Sequence, residues 1–189
     1  MFGTLALDNS DLIVLILICF FAGLIRGFSG FGLSAFVMSL ALTIIPPIEL
    51  IPVCWWMEFF ASVFMIKNGW KDSDKKISII LWLGAIFGLP IGIFLTTILD
   101  FQTSKIIALV LILILALILL KNFKIQFLST TAGTGFSGVC AGVATGLASI
   151  GGMIVATYVL ASQNSARRMR ASLVLYILLN SITTFIFLI

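Results

Sequence analysis

A chain of 189 residues that is 61% hydrophobic and only 10% charged lacks the roughly 25% of charged residues that the surface of a water-soluble domain needs. Its net charge of +4, from eleven basic and seven acidic residues, comes without basic runs interleaved with aromatics, so no nucleic-acid partner is expected. Its three cysteines (Cys19, Cys54 and Cys140) all lie in apolar stretches without paired metal-ligand spacing, which excludes a disulfide framework and a zinc site, and no cofactor is expected.

The N-terminus lacks the basic region and cleavage site of a secretory signal, so the first apolar segment is expected to be retained. That segment covers residues 12–25 and the second residues 33–45, with Gly27, Phe28, Ser29, Gly30, Phe31 and Gly32 between them. At 1.5 Å per residue each comes to roughly 20 Å, short of the ~30 Å hydrocarbon layer. The third segment, residues 48–66, follows Pro46 and Pro47. The fourth is 77–99, the fifth 106–120, a glycine-rich sixth 127–148, a short seventh 153–161 and an eighth 171–189. The expected fold is an all-α, polytopic helical membrane protein, multi-pass in the inner (plasma) membrane.

Basic residues orient these segments. Lys67, Lys71, Lys75 and Lys76 separate the third from the fourth, Lys121 and Lys124 follow the fifth, and Arg167, Arg168 and Arg170 precede the eighth. The positive-inside rule makes all three clusters cytoplasmic. The first and second segments must then enter and leave from outside, and the sixth and seventh from inside. Both pairs read as re-entrant hairpins with glycine tips; the alternative is two pairs of thin, full spans.

The two tips align with each other. Residues 22–32 match residues 141–151, each 119 positions on, with alanine and three glycines in common. With the hairpins opening to opposite faces, this is an inverted-topology repeat, in which alternating access is a rocking of two related halves. Residues 1–120 form the first repeat and 121–189 the second. The second copy ends at the counterpart of Trp70, so a truncated chain, or one completed by a second copy or a partner membrane chain, is expected.

Four features resemble the TauE/SafE family of sulfite exporter-like permeases. They are the 22–32 break, Pro46-Pro47, the run from Gly84 to Gly92 with Gly88 and Pro90, and Gly146-Leu147-Ala148-Ser149-Ile150-Gly151-Gly152 followed by residues 167–172. The resemblance implies transport of sulfite, sulfonates or related small sulfur-containing anions. No nucleotide-binding motif is visible, which points to a secondary carrier driven by ion gradients. A non-transporting subunit that scaffolds a partner is the competing expectation, with a pore third.

Helix breaks inside a membrane free backbone groups, and the helix N-termini after them attract anions. The candidate substrate site is therefore Arg26, Gly27, Ser29, Gly30 and Gly32 at the first break, with Gly146, Ser149, Gly151 and Gly152 at the second. Glycines four apart are equally the mark of close helix packing, the preferred reading for Gly84, Gly88 and Gly92. Arg26 either draws anions or snorkels to the interface. Glu58, the acid well inside an apolar run, is the coupling candidate; it either titrates during transport, pairs with Arg26 or makes a structural hydrogen bond. Glu49 is expected at the interface, and Trp55, Trp56, Trp70 and Trp82 as packing and interface anchors. The serine motif Gly-Phe-Ser-Gly, at 27–30 and 135–138, suggests a protease, but without histidine the serine has no base, so no enzyme is expected. Residues 133–138 also fit a dinucleotide fingerprint but lack its strand context.

Overall fold

The computed structural model describes residues 8–121, 130–161 and 165–188, and within them the chain is helical throughout. The helices are α1 (Asn9–Ser29), α2 (Leu33–Ala41), α3 (Pro47–Asp72), α4 (Lys75–Ile98), α5 (Phe101–Lys121), α6 (Thr131–Ala148), α7 (Gly151–Ala161) and α8 (Ala166–Leu188). Among the described residues α1, α3, α4, α5 and α8 are long and apolar enough to cross a membrane.

The first segment is therefore not short. Gly27, Phe28 and Ser29 remain helical, so α1 has 21 residues, about 31 Å at the α-helical rise. Glycine in a helix costs only about 1 kcal/mol, and the chain breaks where the backbone turns left-handed, at Gly30 (φ 84°) and Gly32 (φ 87°). Asp11 in the first turn and Arg26 in the last both complement the helix dipole. α2 and α7, with 9 and 11 residues, are as short as their sequences imply. The long helices begin where the sequence places stops and caps. Pro47 occupies the first turn of α3, and the Asp74 carboxylate caps α4 by accepting from the Ile77 N–H at 3.2 Å. Arg167, Arg168 and Arg170, expected ahead of the eighth segment, lie inside the first turns of α8. The basic residue Lys124 lies outside the described residues.

α8 runs antiparallel to α3. Gly69 meets Val174 near one end, and the Trp55 indole N–H donates to the Ser181 carbonyl at 2.7 Å towards the other. Asp72 pairs with Arg167 at 2.8 Å, and the Ser172 hydroxyl accepts from the Asp74 N–H, so the ends of α3, α4 and α8 gather their lysines and arginines at one end. α4 and α6 run side by side in the same direction with backbones in contact. A methyl group at Gly84, Gly88 or Gly92 would strike the carbonyl of Gly135, Val139 or Val143, and one at Gly138 or Gly142 the carbonyl of Leu81 or Ala85. The packing expected of Gly84, Gly88 and Gly92 is thus present. α7 doubles back along α6, with Gly151 against Ala141 and the Tyr158 and Thr134 hydroxyls 2.7 Å apart. One buried cluster joins α1, α2, α3 and α5 to the α6–α7 turn; a second joins α4, α6, α7 and α8. The outward faces of α1 and α5, with Ile13, Phe20, Leu113 and Leu120, present large apolar side chains to the surroundings, as lipid contact requires.

Candidate functional site

Arg26 lies one turn before the end of α1 and is completely buried. Snorkelling is excluded by that burial. Its Nε stands 3.0 Å from Glu58 Oε2 on α3, an ion pair not aligned as a hydrogen bond, and Nη2 donates to the Ser62 hydroxyl at 2.8 Å. Nη1 has no hydrogen-bond partner among the described residues. Of the readings open from the sequence, the pairing of Glu58 with Arg26 and a structural hydrogen bond between helices are both present.

The other oxygen of Glu58 faces the start of α2. Its Oε1 accepts from the Ser34 hydroxyl at 3.0 Å and from the Ser34 backbone N–H at 3.4 Å. The helix N-terminus expected to receive a substrate anion is therefore occupied by a carboxylate of the protein itself. Three helices meet in this cluster, and removing either charge would strand the other in a low-dielectric interior.

Around the first break, Ser29 commits its hydroxyl to the turn: it donates within 2.6 Å of the Phe31 carbonyl and 2.8 Å of the Ile25 carbonyl, and accepts from the Phe31 N–H at 3.2 Å. Arg170 reaches across from α8 to donate to the Gly27 carbonyl, and Gly30 sits against its side chain, so glycine at position 30 answers both a left-handed φ and a close neighbour. A cavity of about 650 Å³ opens beside this contact, lined by Phe28, Ser29, Phe64, Met65, Gly69, Asp72, Arg167, Arg170, Ala171 and Val174. Gly27 has open space where a side chain would be, and Gly32 touches Ile25.

The second break is built differently. Ser149, with φ 56°, is the only described residue other than glycine in the left-handed region, and its N–H donates to the Thr145 carbonyl at 2.8 Å. Gly146 packs against the backbone of α4, where Thr96 donates to its carbonyl at 2.9 Å, and Gly151 packs against α6. Ser149 and Gly152 instead line a second cavity of about 30 Å³, with Trp55, Glu58, Thr145, Tyr176, Ile177, Asn180, Ser181 and Thr184. The two breaks do not share one cavity. Glu58 connects them, paired to Arg26 on one side and lining the small cavity on the other.

Sequence reasoning missed Arg170, Thr145, Tyr176 and Asn180. Tyr176 is fully buried; its hydroxyl and Asn180 Oδ1 lack hydrogen-bond partners among the described residues, while Asn180 Nδ2 donates to the Thr145 hydroxyl at 3.3 Å. A signal was present: Tyr176, Asn180 and Thr184 stand four apart, a polar stripe on one face of an otherwise apolar helix. The tryptophans divide. Trp55 is buried and stacks on Phe59 and Phe185, Trp82 donates to the Thr183 hydroxyl at 2.8 Å, and Trp70 is exposed beneath Lys75. Glu49 is half-buried in the first turn of α3.

Five potential spans among the described residues define a multi-pass α-helical membrane protein, with a buried charge pair beside the first of its two helix breaks. Residues 15–189 match the family Sulfite exporter TauE/SafE, and the chain belongs to it. It is a membrane transporter of that family and not an enzyme. No match is found among curated proteins or among solved structures.

Proposed function

We propose that the protein is a secondary carrier of small sulfur-containing anions such as sulfite, thiosulfate or organosulfonates, set in the plasma membrane with its arginine-rich end in the cytoplasm. The observation that carries this reading is the buried convergence of Arg26 and the N-terminus of α2 on Glu58. Both are anion-recognition devices, and a transmembrane arginine that costs roughly 2.5–3.5 kcal/mol to insert is retained where it serves a pathway. The cavity beside the first break is large enough for such an anion and has Arg167 and Arg170 on its wall.

In this reading α1–α2, whose first limb is long enough to cross, and α6–α7 are glycine-broken hairpins opening to opposite faces, the tips of two inverted repeats over 1–120 and 121–189. Support comes from direction: α6 runs with α4, whereas α1 runs with α3, Arg26 pairing with Glu58 and Ser29, further along, lining the same cavity as Met65. Substrate passes Arg26, Gly27, Ser29, Gly30 and Gly32, then Ser149 and Gly152, as one half rocks against the other, while Gly146 and Gly151 hold the second break against α4 and α6. The test is uptake into proteoliposomes, together with thermal stabilisation of the purified protein, for sulfite, thiosulfate, methanesulfonate and sulfate. Saturable uptake of at least one sulfur anion is expected. Absence of both uptake and stabilisation for all four, with the fold intact, would refute the carrier.

A further inference from the structure

The anion already present at the first break is Glu58. Its two oxygens take up what a substrate anion would use: Arg26 Nε at 3.0 Å, and the hydroxyl and backbone N–H of Ser34 at the start of α2. Arg26 keeps one donor nitrogen, Nη1, without a hydrogen-bond partner although it is fully buried. On the far side of Glu58 lies the 30 Å³ cavity, above the roughly 10–15 Å³ that a single water needs, where the Tyr176 hydroxyl and Asn180 Oδ1 are also unpartnered among the described residues. Such a space admits a water, or the proton a water carries, but not a sulfur oxyanion.

We propose that Glu58 is a resident stand-in for the transported anion, and that its protonation from the small cavity frees Arg26 and the α2 N-terminus to bind substrate, so that one proton accompanies each anion. This rests on the carrier reading above and names its coupling ion. Charge decides the order of events. While Glu58 is ionised the cluster is neutral, and an incoming anion meets a carboxylate already in its place. Once Glu58 is protonated, the uncompensated guanidinium is costly in a low-dielectric interior until an anion replaces the lost charge. Proton and anion therefore bind better together than alone, a reciprocal coupling between two sites. The groups that bear on Glu58 are few among the described residues: Arg26 on α1, Ser34 on α2, Cys54 on its own helix (itself influenced by Cys19 of α1), Thr145 and Ser149 at the second break, and Tyr176 and Asn180 on α8. Arg170 acts on Arg26 from the cavity beside the first break. Among the residues lining the small cavity, Glu58 is the carboxylate.

The experiment uses methanesulfonate, whose charge stays constant near neutral pH, where sulfite itself titrates. With the full chain in proteoliposomes, uptake is expected to rise up to about tenfold per unit of external acidification, with one proton entering per anion. Glu58→Gln, which mimics the protonated acid, is expected to bind methanesulfonate with an affinity that no longer varies with pH and to move no protons. Should that variant not fold, calorimetry of the unaltered protein in buffers of different protonation enthalpy reads the same quantity, one proton taken up per anion bound. Uptake that ignores pH or follows a sodium gradient, or binding without proton uptake, would overturn this proposal and leave the carrier standing. No methanesulfonate, sulfite or thiosulfate uptake at any pH would overturn both.

Discussion

The two breaks share a sequence pattern but not a physical solution. At the first, the aligned glycines Gly23 and Gly27 face open space, the turn is made by glycines at 30 and 32, and charge is concentrated in Arg26, Glu58 and Arg170. At the second, the corresponding Gly142 and Gly146 are pressed against the backbone of α4, a serine makes the left-handed turn, and the polar groups of the break itself are uncharged, Glu58 reaching its small cavity from α3. One glycine pattern thus serves a lipid-facing helix in one place and a dry interface in another. What differs is whether a neighbouring helix with its own small residues is there to meet it: α4 supplies Gly84, Gly88 and Gly92 to α6, and no described helix does so for α1.

The largest expected effect separates the charged break from the uncharged one. Arg26→Ala leaves Glu58 buried without its counter-charge and should lower stability by about 3–5 kcal/mol, read by denaturant unfolding in micelles. The paired change Arg26→Met with Glu58→Met removes both charges and should recover most of the loss. Equal losses for the single and paired changes would mean that charge pairing does not distinguish the first break. Next come the aligned glycines. Gly146→Ala forces a methyl group into the α4 backbone and should cost about 1–3 kcal/mol, whereas Gly27→Ala, with open space around it, should gain roughly 0.4–1 kcal/mol. If both lost stability to the same degree, the contrast between packed and open glycines would fail. The smallest effects concern the turns. Gly30→Ala places a side chain at φ 84° against Arg170 and should cost about 1–2 kcal/mol, while Ser149→Gly relieves a similar strain less the entropy of a new glycine, a net gain of about 0.5 kcal/mol. Thermal unfolding of the two variants side by side checks the opposite signs.

Much of the fold was legible along the chain. Apolar segments marked every membrane-length helix but the first, Pro47 and Asp74 marked helix starts, and glycines four apart marked the face of α4 that packs. The first segment is longer than the sequence suggests because the run from Gly27 to Gly32 reads as one break, whereas a helix in lipid keeps its backbone hydrogen bonds through an isolated glycine at 27 and yields only where φ turns positive, at Gly30 and Gly32. Of the candidate site, the sequence supplied Arg26 and Glu58 and the option that they pair. It missed Tyr176 and Asn180, because a lone tyrosine and asparagine in an apolar run are individually unremarkable until another helix places Glu58 beside the same small cavity.

By itself the sequence determined that this chain lives in a bilayer, belongs among the TauE/SafE transporters and carries two glycine breaks, because hydrophobic length, turn chemistry and family motifs are properties of consecutive residues. Only the tertiary structure decided that Glu58 accepts from the start of α2, that Gly142 and Gly146 are packing surfaces while Gly23 and Gly27 are not, and that one carboxylate lies between the breaks. Those are facts about which helices are neighbours, and in a chain this uniformly apolar, hydropathy gives no neighbour an advantage. Close backbone approach and the pairing of buried charge supply that choice.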